Sequence, residues 1–177
     1  VAEKITDIIR GEDHISNTAY HIQIFESLNA SLPNFAHHPF LTDEKGKSFG
    51  KRIGSLSVKS LKEEGFENIT VFNYLLNIGS SLDIKPNSSI SKLLNEFNLK
   101  NISNSSPKFS KEVLLMLNKD TLQSYNTKEV INKINLLNKN LSNDKLWKFV
   151  KYNINYLYEI TNWIKIINSE NNIQNNN

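Results

Sequence analysis

The amino-acid sequence predicts an α/β fold that becomes mostly α-helical along the chain. A β-type run rich in Ile and Thr, Lys4 to Ile9, precedes an apolar helical pattern from Thr18 to Leu28, and an extended segment follows from Asn34 to Leu41. From Ser57 onward, apolar residues recur at helical spacing. We therefore expect strand, helix and strand first, and then a series of helices.

Two short helices come next, the second with an apolar face that ends at Gly79. This face consists of Ile69, Phe72 and Leu76. Ser88 or Ser89 is placed to cap a helix from Ile90 to Phe97. The Asn- and Ser-rich run from Asn98 to Ser106 is then predicted to be a connecting loop and the boundary between two units.

The last third of the sequence predicts a pair of helices. Asn126 and Glu129 have the spacing of a capping box at the start of the first helix. Its apolar face is Val130, Ile134, Leu137 and Leu141. One long helical segment follows, with a single apolar face formed by Leu146, Val150, Leu157, Ile160, Ile164 and Ile167. The Asn-rich tail from Asn168 to Asn177 is expected to fray.

Composition limits the kind of protein and its partners. The 177 residues are 38% hydrophobic and 22% charged, which is typical of a globular chain, and the net charge of +3 fits a polyanionic partner without requiring one. The chain has no Cys, and its four His residues lack ligand spacing, so we expect no protein-bound metal. No apolar run approaches the roughly 20 residues of a membrane span. We expect a cytoplasmic monomer that does not bind membranes.

The segment from Ile9 to Thr18, IRGEDHISNT, joins the first strand to the first helix. Arg10 at the end of a strand can present a planar fork to a carboxylate, and open α/β sheets bind ligands at the carboxyl ends of their strands. Arg10 is therefore a candidate carboxylate-binding residue. The alternative is a surface ion pair between Arg10 and Asp13, with His14 packed nearby.

A second segment, Gly46 to Ser55, reads GKSFGKRIGS and follows residues with turn chemistry. Its Lys51-Arg52 pair lies between glycines. By itself, such a pair indicates an ordinary solvated loop.

These two segments, in this order, resemble the bacterial-type glutamyl-tRNA synthetases, which are class I aminoacyl-tRNA synthetases. The first resembles the family signature that follows its nucleotide-binding strand, and the second resembles the KMSKS loop. The five loop positions are occupied by Ser48, Phe49, Gly50, Lys51 and Arg52. Further matching pieces lie between Phe35 and Asn118, and the resemblance extends loosely to Ile167.

The resemblance implies roles for individual residues. Arg10 would bind the substrate glutamate, while Asp13 and the backbone of Leu41 would lie in the ATP site. Lys51 would be the catalytic lysine that reaches the ATP phosphates, with Mg²⁺ accompanying the ATP. His37 and His38 receive no catalytic role.

Two loop positions depart from the family pattern. Ser48 replaces the usual first lysine, and Gly50 replaces the usual serine, so the efficiency of ATP engagement is open. Lys47, one residue upstream, is a candidate replacement for the missing lysine.

The implied architecture is the C-terminal part of a Rossmann-type catalytic domain in residues 1–56, a stem-contact helical region in 57–109, and a partial anticodon-binding domain in 110–177. The resemblance also implies that the N-terminal half of the catalytic domain lies outside these residues, so we expect the chain to be inactive alone. The implied activity is ligation of glutamate to tRNA for glutamate, with tRNA for glutamine left open. The alternative is a non-catalytic tRNA-binding module or a degenerate synthetase paralogue.

Two sibling groups fit the sequence less well. Glutaminyl-tRNA synthetases carry β-barrels after the catalytic domain, whereas the sequence after Ser57 has a helical pattern. The short glutamyl-queuosine relatives lack the long helical extension that this chain has through Ile167.

A lysine face in the last third is a weak candidate for tRNA contact. Lys145, Lys148 and Lys151 lie about one turn apart and can meet phosphates, but a solvated helix face explains them equally well. Nearby aromatic side chains are interpreted as structural. They are Trp147, Phe149, Tyr152, Tyr156, Tyr158 and Trp163.

Overall fold

The computed structural model describes residues 1–49, 56–81, 86, 89–135 and 144–166. The chain begins with strand β1 (Asp7–Gly11), a 3-10 turn (Glu12–His14), helix α1 (Ile15–Ser27) and strand β2 (Asn34–His38). The two strands are parallel, with Asp7 opposite Asn34 and Gly11 opposite His38. Both strands therefore end at the same edge, as expected for a β-α-β unit.

The first strand and helix are shifted from their predicted positions. β1 begins at Asp7 rather than Lys4, and α1 begins at Ile15 rather than Thr18. The helix starts early because the 3-10 turn leads directly into it, and the Thr18 hydroxyl donates to the carbonyl of His14 at 3.0 Å within its first turn.

The described ranges continue with helices α2 (Val58–Glu64), α3 (Asn68–Asn77), α4 (Ile90–Glu96), α5 (Lys111–Ser124), α6 (Thr127–Asn135) and α7 (Asp144–Val150). Residues 160–166 are also helical. The expected change from an α/β start to a mostly helical continuation is confirmed. Within the described ranges, none of the helices is long and apolar enough to cross a membrane.

The predicted helix starts agree with the capping contacts. The Ser89 hydroxyl accepts from the backbone N–H of Lys92 at 3.2 Å, so Ser89 caps α4. At α6, the N–H of Asn126 donates to the Glu129 carboxylate at 2.8 Å, and the N–H of Glu129 donates to the Asn126 side chain at 2.9 Å. This reciprocal pair confirms the capping box.

The predicted face of α3 is wrong. Phe72 is 36% exposed, whereas Val71 and Tyr74 are buried, because α3 packs on α5 and on Phe109 through that other side. The Tyr74 hydroxyl accepts from the backbone N–H of Ser110 at 2.8 Å, which fixes this orientation. The helix ends at Asn77, before Gly79.

The long helical segment predicted after residue 144 is also interrupted. α7 ends at Val150, where the N–H of Asn153 turns back to the Val150 carbonyl at 2.8 Å. The N–H of Asn155 then donates to the Glu159 carboxylate at 3.1 Å ahead of a 3-10 turn, Leu157–Glu159. Side-chain bonds of this kind compete with helix continuation. Leu137, Leu141 and Ile167 of the predicted faces lie outside the described residues.

In the described part of the chain, two groups of buried side chains form the core. The first cluster is Leu61, Phe66, Val71, Tyr74, Phe109, Leu114 and Leu117. The second cluster is Leu122, Val130, Ile134, Trp147, Val150, Ile154, Leu157 and Ile160. The first cluster draws side chains from both sides of residue 109, and the division into 1–56, 57–109 and 110–177 stays a prediction. In contrast, α1 contributes no buried residue.

Asn118 joins the helical segments through its fully buried amide. Its Oδ1 accepts from the backbone N–H of Glu67 at 2.9 Å, and its Nδ2 donates to the carbonyl of Asn155 at 2.7 Å. The Glu67 carboxylate in turn accepts from the Tyr125 hydroxyl at 2.8 Å and from the Lys133 ammonium at 2.6 Å. The start of α3, the middle of α5 and the segment after α7 are therefore joined by hydrogen bonds as well as by apolar packing.

Gly65 ends α2 in the left-handed conformation, with φ of 105°. A Cβ there would lie 2.6 Å from a ring carbon of Tyr158. We expect Gly65→Ala to lower the free energy of unfolding by about 2–4 kcal/mol, because backbone strain and overpacking add. Gly46→Ala is the matched control, since Gly46 has φ of 81° but no atom within 4 Å of the added Cβ. It should cost only about 1–2 kcal/mol. If urea unfolding shows that both variants lose the same free energy of unfolding, the clash with the Tyr158 ring would be contradicted.

Candidate active site

Arg10 lies at the carboxyl edge of the sheet, directly opposite His37 in the parallel register. Its Nη2 donates to the Thr18 hydroxyl at 2.7 Å, and its Nη1 lies 3.1 Å from Nδ1 of His21. The guanidinium carbon is 5.8 Å from the centre of the Phe35 ring. Side chains of β2 and α1 thus surround one side of the guanidinium. The alternative pairing of Arg10 with Asp13 does not occur, since Arg10 is bonded to these α1 side chains instead.

Thr18 and His21 were missed by sequence reasoning, and His37 received no catalytic role. The Thr18 hydroxyl is 2.9 Å from Nε2 of His37, so it bridges α1 and β2. A helical spacing of three between Thr18 and His21 places both on one face of α1, which is the signal that sequence reasoning could have used. Arg10 Nε is buried and has no hydrogen-bond partner among the described residues.

Asp13 lies in the 3-10 turn that follows β1. One carboxylate oxygen would be only 2.5 Å from a Cβ at Gly11, so the missing side chain there lets the carboxylate lie against the backbone. The other oxygen is 3.7 Å from Nε2 of His14, and both side chains are about half exposed. The carboxylate is therefore open to a ligand at the same edge as Arg10.

The segment after β2 is tied to this turn. The backbone N–H of Phe40 donates to the Glu12 carboxylate at 3.3 Å, and the next residue, Leu41, packs against the first cluster. The contact between Phe40 and Glu12 joins the two segments that contain Leu41 and Asp13, the residues that sequence analysis placed in the ATP site. Their roles stay predictions.

The loop after β2 makes the predicted turn. The N–H of Gly46 donates to the Asp43 carbonyl at 2.9 Å, and the N–H of Lys47 donates to the Asp43 carboxylate at 2.8 Å. Thr42 and Ser48 form an antiparallel bridge that closes the turn. The described part of the loop ends with Phe49, whose ring meets Phe109 edge-on at 6.0 Å.

Three predicted loop residues, Gly50, Lys51 and Arg52, lie outside the described residues. The base of the loop is nevertheless anchored. Thr42 donates its N–H to the Pro107 carbonyl at 3.0 Å and accepts from the N–H of Phe109 at 2.8 Å. Residues ahead of α5 therefore fix the point from which the loop extends.

A cavity of about 1030 Å³ opens beside the loop, between α2 and the start of α5. Its wall includes Ser48, Phe49, Glu64, Lys111 and Tyr156. The Lys111 ammonium, 2.7 Å away, holds the pKa of Glu64 below its usual value. The Tyr156 hydroxyl donates to the Glu64 carboxylate at 2.7 Å. Burial is the main cause that raises the pKa of Tyr156, and the hydrogen bond to this carboxylate raises it further. Because the pKa of Glu64 is lowered by folding, its stabilising contribution is lost as pH falls through the folded value.

One lysine of the predicted lysine face, Lys151, contacts other residues of the chain. The Lys151 ammonium donates to the Gln123 carbonyl at 2.9 Å and lies 5.1 Å from the Tyr152 ring. Lys148 is exposed, while the side chain of Lys145 is outside the described part of the chain. The role of all three in tRNA contact stays a prediction.

The aromatic side chains nearby do not all belong to the core. Trp147 is buried, and its Nε1 donates to the Tyr125 carbonyl at 2.9 Å. Phe149 and Tyr152, however, are 76% and 64% exposed, so interpreting them as packed side chains was wrong. Phe149 lies on the side of α7 away from the buried Trp147, and Tyr152 follows the end of the helix at Val150.

The described residues contain no group of three or more His, Cys, Asp or Glu side chains placed to hold a metal ion.

Known proteins resemble this chain in sequence and in fold. A glutamate–tRNA ligase 2 from Bartonella tribocorum is 40% identical over 171 residues, covering 95% of this chain and 37% of that protein. A glutamate–tRNA ligase from Azospirillum brasilense is 48% identical over 115 residues, covering 64% of this chain and 26% of that protein.

The fold is similar to that of a glutamate tRNA ligase from Elizabethkingia meningosepticum, solved in complex with its amino acid. The TM-score is 0.73 at 23% identity, over 92% of this chain and 38% of that one. The chain thus spans well under half the length of each of these relatives. Residues 1–116 match the family described as tRNA synthetases class I (E and Q), catalytic domain. The chain therefore belongs to the class I tRNA synthetases of the glutamate and glutamine group.

Proposed function

We propose that this chain is part of a cytoplasmic, monomeric glutamate–tRNA ligase, which activates glutamate with ATP and transfers it to tRNA. The observation that carries the proposal is the Arg10 guanidinium at the shared carboxyl edge of β1 and β2. A ligand at this edge would meet a fixed cation, which suits the side-chain carboxylate of glutamate. The relatives named glutamate–tRNA ligase support this choice of substrate.

The other residues have proposed roles around this contact. Asp13 and the backbone of Leu41 would lie along ATP, and Lys51 would reach its phosphates, with Mg²⁺ bound to the same phosphates. As the α-carboxylate of glutamate attacks the α-phosphate, pyrophosphate leaves, and a lysine ammonium offsets the charge that develops. The open carboxylate of Asp13, beside the sheet edge, supports the placement of ATP there.

The proposed partners are ATP, glutamate and tRNA for glutamate, and tRNA for glutamine is a further candidate. The proposed organisation has a catalytic part in residues 1–56, a stem-contact part in 57–109 and a partial anticodon-binding part in 110–177. Lys145, Lys148 and Lys151 would contact tRNA phosphates. This contact requires that tRNA affinity fall as salt is raised.

Arg10→Gln tests the proposed function in the intact protein that carries this chain. We expect the glutamate KM for ATP–pyrophosphate exchange to rise by about 10- to 100-fold, because a charged hydrogen-bond pair with the carboxylate is lost. The KM for ATP should hardly change. Lys92→Ala on α4 is the control for removal of an exposed cation. Exchange that does not depend on glutamate would contradict the proposal, and tRNA binding without any exchange would favour the non-catalytic module.

A further inference from the structure

The Thr18 hydroxyl lies at the centre of the contacts that hold Arg10. It is 2.7 Å from Nη2 of Arg10, 2.9 Å from Nε2 of His37 and 3.0 Å from the carbonyl oxygen of His14. A hydroxyl has one proton to donate and two lone pairs that accept. Three neighbours therefore match its full hydrogen-bonding capacity.

The chemistry of the neighbours decides which way each proton points. The His14 carbonyl can only accept and the Arg10 guanidinium can only donate, so Thr18 donates to the carbonyl and accepts from the guanidinium. Its remaining lone pair then requires a donor, and Nε2 of His37 must carry a proton. By the same logic Nδ1 of His21, which faces Nη1 of Arg10, carries none. We assign the tautomers of both rings from these hydrogen-bond partners.

Packing alone does not fix the guanidinium in this part of the chain. α1 has no buried residue, and Arg10 itself is only half-buried. A long side chain in such a place retains several rotamers unless hydrogen bonds select one. Thr18 and His21 each use one N–H of a terminal nitrogen, which leaves a second N–H on each nitrogen for a ligand.

We propose that Thr18 is a positioning residue for glutamate recognition: bridging Arg10 and His37, it holds the guanidinium so that both terminal nitrogens face the substrate carboxylate. This inference rests on the proposed function, because it takes Arg10 as the glutamate-binding residue. Thr18 acts through Arg10 and does not touch substrate. His37 supports Thr18 from β2 and thereby links the two strand ends.

Thr18→Val keeps the shape of the side chain and removes the hydroxyl. In the intact protein we expect the glutamate KM for ATP–pyrophosphate exchange to rise by about 5- to 20-fold, the scale of losing one or two hydrogen bonds that orient a charged group. The rate constant kcat and the KM for ATP should stay within about twofold. Thr18→Ser keeps a hydroxyl at this position, and its glutamate KM should stay within about threefold of the parent value.

A double substitution separates positioning from a general structural effect. If Thr18 acts through the guanidinium, Thr18→Val should add less than about twofold to the glutamate KM of Arg10→Gln. A full additional increase in the double variant would overturn the proposal. His37→Leu compared with His37→Gln gives a second test that does not depend on the folding of Thr18→Val. The leucine should raise the glutamate KM, and the glutamine, which keeps a donor near the Nε2 position, should raise it less.

The outcomes distinguish the two levels of inference. If Arg10→Gln leaves the glutamate KM unchanged, the proposed role of Arg10 fails and the positioning role falls with it. If Arg10→Gln raises the glutamate KM but Thr18→Val and His37→Leu do not, only the positioning role is overturned. If Arg10→Gln and Thr18→Val both raise the glutamate KM and Thr18→Ser keeps it near the parent value, the positioning role is supported.

Discussion

Replacement of Lys51 by alanine is expected to lower the rate of adenylate formation by about 10- to 1000-fold in the intact protein. The reason is the loss of a charged donor that would face the ATP phosphates in the transition state. Glutamate binding should hardly change, because Arg10 is held separately by α1 side chains. Pre-steady-state measurement of adenylate formation tests the expectation directly.

The turn before the loop offers matched controls for this experiment. Lys45 lies in the same turn and lines the cavity, so Lys45→Ala tests for a general loss of positive charge and should have little effect. Lys47→Ala should slow adenylation by less than Lys51→Ala if Lys47 substitutes for the lysine missing at Ser48. Ser48→Lys should then restore the rate in the Lys47→Ala background. An unaffected rate in Lys51→Ala would show that the motif is misplaced and would favour the binding module.

Asn118→Leu is expected to have the largest effect on stability. The substitution nearly preserves side-chain volume but leaves the N–H of Glu67 and the carbonyl of Asn155 without their buried partner. Each buried polar group left unpaired costs about 1–3 kcal/mol, so the free energy of unfolding should fall by about 2–6 kcal/mol. Urea unfolding followed by the fluorescence of buried Trp147 measures the change.

Thr121→Val is the matched control on the same helix. Thr121 is also buried, but its hydroxyl donates only to the Leu117 carbonyl, which is already part of the α5 hydrogen-bond ladder. This substitution should cost no more than about 1.5 kcal/mol. If both variants lose the same free energy of unfolding, the two hydrogen bonds of the Asn118 amide contribute little to stability, and apolar packing alone joins the helices.

Local signals in the sequence predicted local structure well. Ser89 and the Asn126–Glu129 pair cap helices at the predicted places, because a cap depends only on residues three positions apart. The pairing of two strands around a helix also follows the predicted order. Arg10 could be placed at a strand end for the same reason.

Features that depend on tertiary contacts were not predictable from spacing. The orientation of α3 is decided by the bond from Ser110 to Tyr74, residues 36 positions apart, against an apolar pattern that fits another face. The segment after Val150 is likewise held by a tertiary bond, from the Asn118 amide to the Asn155 carbonyl, in addition to the local bond from the N–H of Asn155 to the Glu159 carboxylate. Similarly, the meeting of Thr18 with His37 requires the two strands to be in register, which the sequence does not specify.

The absence of buried side chains in α1 has a consequence for hydrogen exchange. Amides of helices that pack into the two clusters can exchange only when those clusters open, whereas α1 can open at little cost in buried apolar surface. Deuterium should therefore enter α1 much faster than α5. A carboxylate ligand that binds Arg10 would tighten the contacts of Thr18 and His21, and slower exchange in α1 would then report substrate binding at a distance from the ligand itself.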